Sequence, residues 1–429
     1  MKKTILNPFQ KFVRAESLSG ILLFVATITA IVWANSSYGF VYDSILQYKI
    51  GIKFHTFEFE KTLILLINDG LMAIFFFLLG LELKREFLIG ELDSIKKASL
   101  PFVAAIGGIV VPIALFFILN KDVNTAKGWG IPMATDIAFA LAIIKLLGNR
   151  VPNSIKIFLT AFAIIDDIGA VLVIAIFYSS GINWMLIIYA LGLLSILVFL
   201  SYKNIYISYL YLFFGIVIWF LFLKSGIHPT IAGVLLAFTI PIRQKINIKN
   251  YTDNLGFALS KMRDDSNSKN NTLSKKQLNY IEYIEARSAK VRSPLQDLEY
   301  KLHKWVAFLI IPVFALSNAG VVFSSNISLD YALILNIAIS LFVGKMVGVS
   351  LFSYLGLKFK IIELPFGIHF KQIIGVAILA GVGFTMSIFI SNLAFSDSLV
   401  YTDSAKIGIL IGSLFSGFIG YLVIRYTSK

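Results

Sequence analysis

The hydrophobic pattern is dominated by long apolar runs separated by short polar connections. A helical bilayer span needs about 20 predominantly apolar residues, and twelve runs approach that length, at roughly 17–35, 62–83, 99–119, 128–146, 155–178, 183–201, 206–223, 227–241, 303–324, 330–354, 367–394 and 403–425. The eighth is short. The fourth and eleventh are interrupted by polar or glycine-rich residues. The pattern predicts a single all-α polytopic membrane domain over residues 1–429, with twelve transmembrane helices and both termini on one side. Two connections depart from the rule. Residues 47–60 (QYKIGIKFHTFEFE) alternate apolar and polar positions around a glycine, which is strand periodicity and predicts a small extracytoplasmic β-hairpin. Hairpins of that size are marginal alone, so the choice is between pairing with a second copy in a homodimer and an ordered loop. Residues 242–302 form a polar cytoplasmic insert, with a middle from Ser260 to Lys276 of disordered-type composition and an amphipathic helical pattern from Ile281 to Lys304.

Composition agrees. The chain is 58% hydrophobic and 14% charged, with a mean hydropathy of +0.82, more apolar and less charged than soluble domains. The net charge of +14 is a topology signal, because the basic residues sit in loops; no nucleic-acid partner is expected. Of 38 Lys and Arg, 30 fall on the side of the N-terminal tail, seven on the other, and Lys345 lies inside a span. Removing the 13 between residues 242 and 304, where charge counts for less, still leaves 17 against seven. The bias puts both termini in the cytoplasm. The basic N-terminus is followed by a full-length span, which favours a retained helix over a cleaved signal peptide. There is no cysteine, and no nucleotide-binding glycine loop, zincin motif or nucleophile elbow. Hydrolytic or ATP-driven chemistry has no visible machinery, and no cofactor is expected.

The chemistry lies inside the spans. Asp166 and Asp167 are adjacent in the middle of the fifth, where an aspartate costs about 2.5–3.5 kcal/mol on translocon scales. Two neighbouring like charges repel, which favours a shared proton or a bound cation. In the fourth span Pro132 interrupts the helix, and Thr135 and Asp136 are N-cap residues for a restart. The eleventh has a matching break at Gly381, Gly383 and Thr385. Paired interrupted segments point to a transporter site; here each is the second member of a triplet, spans 3–5 and 10–12, which enter from opposite faces as inverted repeats. The alternative is two helices kinked for packing. Asp136 is suited to offset the positive end of a half-helix, and Lys345 to offset a negative one and to pair with a carboxylate.

Asp69 and Glu82 lie 13 residues apart on the second span, about 20 Å along a helix. Asp69 is a functional candidate or a simple cap. Glu82 and Glu86 either pair with Lys84 and Arg85 at a helix end or form an acidic mouth that collects cations. His228 is an interfacial residue or a pH sensor. His303, beside Glu299 and Lys301, carries the same choice.

Together, Asn68-Asp69-Gly70-Leu71-Met72-Ala73, Gly80-Leu81-Glu82-Leu83-Lys84-Arg85-Glu86, Thr135-Asp136-Ile137-Ala138-Phe139-Ala140, Ala163-Ile164-Ile165-Asp166-Asp167, Gly344-Lys345 and Gly381-Val382-Gly383-Phe384-Thr385-Met386-Ser387 resemble the NhaA-type sodium/proton antiporters of bacterial membranes. The resemblance runs from the first span to the last in one order. It implies an electrogenic antiporter of the inner membrane that extrudes Na+ or Li+ in exchange for H+, active toward alkaline pH and serving sodium and pH homeostasis. It implies Asp167 as principal cation ligand, Asp166 beside it with Lys345 as partner, and Asp136 and Thr135 at the crossing of the broken helices. Asp69 would lie on the outward route, and Glu82, Glu86, Glu299 and His303 at a pH-responsive cytoplasmic mouth. His228 matches a histidine linked to pH response. A homodimer joined partly through the outer hairpin, embedded in membrane lipid, completes the implication. The insert is longer than the family's usual loop, and Tyr300 stands where some relatives have a second histidine.

Two other classes use membrane carboxylates. An intramembrane aspartic protease needs facing aspartates on two helices, whereas Asp166 and Asp167 are about 100° apart on one. A cation channel fits a mid-span lysine and paired breaks less well than a carrier. Among carriers, exchange of K+ is the alternative, since sequence does not resolve ion size.

Overall fold

A computed structural model describes residues 8–54, 57–179, 181–244, 248–264, 273–323, 329–364 and 367–428. The expected apolar runs are helical. Eight helices are long and apolar enough to cross a bilayer: Leu63–Ile89, Ile95–Leu119, Asn153–Phe177, Trp184–Tyr202, Ser208–Ser225, Pro294–Asn318, Tyr331–Lys358 and Leu399–Thr427. Three bent pairs raise the number to as many as eleven, among them Thr125–Met133 with Ile137–Leu146 (44°) and Phe370–Leu379 with Phe384–Ala394 (46°). In the third, Leu18–Ala34 turns by 113° into Gly39–Leu46, too sharply for one to continue the other across a membrane. The expected eighth span narrows to Thr230–Thr239, ten residues whose length of about 15 Å is half a hydrocarbon core. Twelve separate crossings are therefore more than length and hydropathy qualify.

The hairpin runs two residues beyond its expected end. Strands Lys49–Phe54 and Phe57–Thr62 pair antiparallel with Gly51 opposite Glu60; residues 55 and 56 lie outside the described residues. The second strand passes directly into the helix at Leu63.

Two helices of the insert reach into the edges of the stretch expected to be disordered. Ile248–Asp264 and Lys275–Val291 are helices that pack on each other, joined by Tyr251 and Ser288 hydroxyls at 2.7 Å. Helix therefore covers both ends of the stretch expected to be disordered, and 265–272 lie outside the described residues. Ser274 and Gln277 form a reciprocal capping box, satisfying two end groups of the second helix. The single amphipathic helix expected over 281–304 is two, because Ser293 caps a new start and Pro294 occupies its first turn.

Burial separates centre from periphery. The apolar window of Asn153–Phe177 is 72% buried and that of Tyr331–Lys358 61%, against 22% for Trp184–Tyr202 and Ser208–Ser225. The two central helices carry the aspartate pair and Lys345. The second of them lies in backbone contact with Ile95–Leu119: a Cβ on Gly107 would lie 2.2 Å from Gly348 O, and one on Gly348 would lie 2.1 Å from Gly107 O. Gly348→Val is expected to push Ile95–Leu119 away from Tyr331–Lys358 and displace Lys345, one turn earlier. Overpacking of this kind costs about 1–3 kcal/mol, read as a lower thermal midpoint of the protein in detergent.

Candidate functional site

Two broken segments cross at the centre of the molecule. The first ends at Met133, runs extended through Thr135, and restarts at Ile137 with Asp136 as N-cap. The second breaks between Leu379 and Phe384. Five hydrogen bonds tie them, one of them from the Ser387 hydroxyl to Ile131 O at 2.8 Å. Asp136 N–H donates to Val382 O at 2.6 Å, and the Thr135 hydroxyl donates to Ala380 O at 2.9 Å. The Asp136 carboxylate accepts from Thr385 N–H at 3.1 Å and from the Thr385 hydroxyl at 2.6 Å through Oδ2. Its Oδ1 accepts from Phe139 N–H at 3.0 Å. One carboxylate thus caps two half-helices, meeting both orphan N–H sets and both positive dipole ends. Gly383 permits the close crossing, since a Cβ there would lie 2.9 Å from Ala134 O.

Of the two uses expected of Lys345, it takes the pairing with a carboxylate: Nζ donates to both oxygens of Asp166 at 2.9 and 2.7 Å, while Ala380 O and Val382 O in the second break are met by the Thr135 hydroxyl and Asp136 N–H. The Lys345 and Asp166 side chains are fully buried. The stretch before Lys345, Ser340–Gly344, widens into a π-turn, as do Ile67–Leu71 around Asp69 and Val306–Ile310. Such turns re-aim side chains and are frequent at functional sites.

Asp167 stands apart from this network. It is 1% exposed, and its Oδ1 has no hydrogen-bond partner. A buried carboxylate oxygen left unpaired costs free energy and needs a proton or a cation. It lines a cavity of about 50 Å³ together with Glu82, Thr135, Asp136, Thr160 and Thr385, room for an ion with little of its water. Asp166 does not line the cavity. Adjacent in sequence, the two aspartates face different partners.

The remaining candidates fall into two groups at opposite ends of helix Leu63–Ile89. Near Glu82, His303 Nδ1 approaches Glu82 Oε1 at 3.8 Å, while Arg85 bridges Glu299 at 2.9 Å and Glu86 at 2.8 Å. Glu86 Oε2 also accepts from Glu91 N–H at 2.7 Å, so Glu86 is a paired helix end, whereas Glu82 opens on the cavity. At the other end, Asp69 Oδ1 lies 3.6 Å from His228 Nε2. The His228 side chain is only 9% exposed, bonded to Thr230 at 2.8 Å and set edge-on against Phe389. Between the groups, Phe389 also packs on Phe76 and Phe314, and the cavity stops short of Asp69.

Sequence reasoning missed two features. Asn68 and Asn318 exchange hydrogen bonds at 3.1 and 2.9 Å, and Asn392 donates to Asn318 at 2.7 Å, linking three helices beyond Phe389. Amides inside apolar helices were the available signal. Lys84 donates to Phe238 O and Ile240 O, both at 2.6 Å, closing the end of the ten-residue helix; only the fold brings those carbonyls near.

Compared with known proteins, residues 10–424 match the family model described as Na+/H+ antiporter 1. The chain belongs to the Na+/H+ antiporter 1 family. It is 45% identical over 424 residues to a Na(+)/H(+) antiporter NhaA of Oleidesulfovibrio alaskensis, covering 98% of this chain and 94% of that protein. It is 42% identical over 431 residues to one of Bacteroides fragilis (99% and 98%) and 44% identical over 422 residues to NhaA 1 of Saccharophagus degradans (97% and 91%). Members of the Na+/H+ antiporter 1 family are transporters, not enzymes, and the helices place this one in a membrane as a multi-pass protein.

Proposed function

We propose that the chain exchanges cytoplasmic Na+, or Li+, for external H+, with Asp167 as the shared site. The observation that carries the reading is the unpaired Asp167 Oδ1, buried at the end of a cavity that Glu82 also lines. Hard cations prefer oxygen ligands, and the crossing supplies carboxylate and hydroxyl oxygens. A cation and a proton competing for one carboxylate oxygen cannot both be held, so loading one from one side and releasing it for the other couples the two fluxes. No second pathway is required.

The Asp166–Lys345 pair holds a further exchangeable proton. With Asp167 it supports electrogenic exchange, in which more protons than sodium ions cross. Alternating access follows if the crossed segments move against the surrounding helices, closing Glu82's side and parting Phe389 from Phe76 and Phe314. Twelve crossings with inverted repeats, counting Leu18–Ala34, Thr230–Thr239 and each of the two crossed broken segments as one beside the eight long helices, fit this motion. The basic bias supports cytoplasmic termini in a bacterial inner membrane, with the Glu82–Arg85–Glu299–His303 cluster facing the cytoplasm, where it would adjust activity to pH. The hairpin's open strand edges support a homodimer through that element.

Everted vesicles carrying a respiratory pH gradient test the proposal. Addition of NaCl or LiCl, but not KCl, is expected to dissipate the gradient at alkaline pH; no dissipation by either salt would sink it. Competition also fixes the direction of the pH effect. A proton on Asp167 excludes sodium, so raising the pH lowers KM for Na+, by about tenfold per unit where one proton competes by mass action. A KM independent of pH from 6 to 9 would rule out a shared site.

A further inference from the structure

Three threonines line the cavity, Thr135, Thr160 and Thr385, and each has committed its hydroxyl proton to the protein. Thr135 donates to Ala380 O at 2.9 Å, Thr385 to Asp136 Oδ2 at 2.6 Å, and Thr160 to Lys156 O at 2.9 Å. A hydroxyl has one donor and two lone pairs. With its donor turned away, each presents acceptors alone, a lining suited to a cation.

Thr135 and Thr385 sit at the crossing, but Thr160 does not. It precedes Asp167 by seven residues on helix Asn153–Phe177. Seven residues are nearly two full turns, so both lie on one face about 10 Å apart along the axis. Glu82 reaches the same cavity from helix Leu63–Ile89. A bond from a threonine to the carbonyl four residues back is common in apolar helices; Thr27 makes one to Leu23 O and Thr427 one to Val423 O. Thr160 differs from those two in facing the cavity that holds Asp167.

From this placement we infer that Thr160 is a further cation-contact residue, whose hydroxyl oxygen takes the partly hydrated sodium ion between Glu82 and Asp167. Its lone pair replaces one water before the last step to the carboxylate. It therefore governs apparent affinity and the preference between Na+ and Li+, ions that differ in how tightly they hold water. The inference rests on the antiport reading above.

The test uses the purified full-length protein in liposomes, with Na+ and Li+ concentration dependence of exchange measured at one alkaline pH. Thr160→Val keeps the shape and removes the hydroxyl, Thr160→Ala removes both, and Thr160→Ser keeps the hydroxyl. The valine and alanine variants are expected to raise KM for Na+ about tenfold, the loss of one polar contact, with a maximal rate near that of the parent and an altered Na+ to Li+ ratio. Thr160→Ser retains the parent KM. A parent-like KM in Thr160→Val, a fall in maximal rate alone, or a shift as large in Thr160→Ser would overturn the role. Failure of the parent to exchange Na+ for H+, or normal exchange by Asp167→Asn, would instead defeat the antiport reading.

Discussion

Asp167→Asn is expected to lower sodium-dependent proton flux in everted vesicles by at least about a hundredfold, since a charge-assisted contact is worth about 3 kcal/mol. Asparagine fills the same volume and can still hydrogen-bond, so the helix and its packing survive. What disappears is an oxygen that holds a proton in one state and a cation in the other. The residue already lacks a partner at Oδ1, so its removal breaks no hydrogen bond there, and the thermal midpoint in detergent should not fall. A midpoint raised by the substitution would agree, because an unpaired buried acceptor is a liability to stability. Loss of flux with loss of folded protein would instead make Asp167 a structural residue.

The opposite balance holds for Lys345→Met. The lysine donates to both oxygens of Asp166, at 2.7 and 2.9 Å, and removing it leaves a fully buried carboxylate without its counter-charge. Breaking one side of such a pair costs about 3–5 kcal/mol, expected as a large drop in thermal midpoint together with lost transport. Adding Asp166→Asn removes the stranded charge. The double variant should recover most of the midpoint, since buried ion pairs are often replaceable by uncharged groups at little cost. Recovery of stability without recovery of electrogenic exchange would assign the pair to proton coupling. A single Lys345→Met variant as stable as the parent would show that Asp166 does not depend on it.

How much of this was legible in the sequence follows from the range of the forces involved. Apolar runs must fill a bilayer, so their positions can be read one at a time, and they all became helices. Asp136 was legible too, because capping is local: a short acidic side chain before an apolar run after Pro132 has one obvious use. That its second oxygen caps Phe384–Ala394, 248 residues later, was not, because that bond exists only once the two breaks are brought together. That Lys345 pairs with a carboxylate was expected, and the resemblance alone singled out Asp166; the residues by themselves did not choose. A buried ammonium needs a counter-charge, but several carboxylates and half-helix ends compete for it until the fold removes all but one. The surroundings of His228 were not legible: a histidine after Gly226 at a helix start carries no sign of the Asp69 and Phe389 that the fold sets beside its ring. In the insert, the Ser274–Gln277 capping box and the pairing of two helices were readable only outside 265–272, the middle of the stretch expected to be disordered, which lies outside the described residues.

The contact between helices Leu63–Ile89 and Thr230–Thr239 has one more consequence. A Cβ on Gly233 would lie 2.3 Å from Ala73 O, and one on Gly80 would lie 2.7 Å from Ala237 Cβ, so the two backbones touch along their shared length. Lys84 pins one end to Phe238 O and Ile240 O, and Asp69 meets His228 at the other. Fastened at both ends and unable to slide between, the pair is a stiff plank. The pair is therefore expected to tilt as one body, so that a displacement where Arg85 grips Glu299 also moves Asp69 and His228.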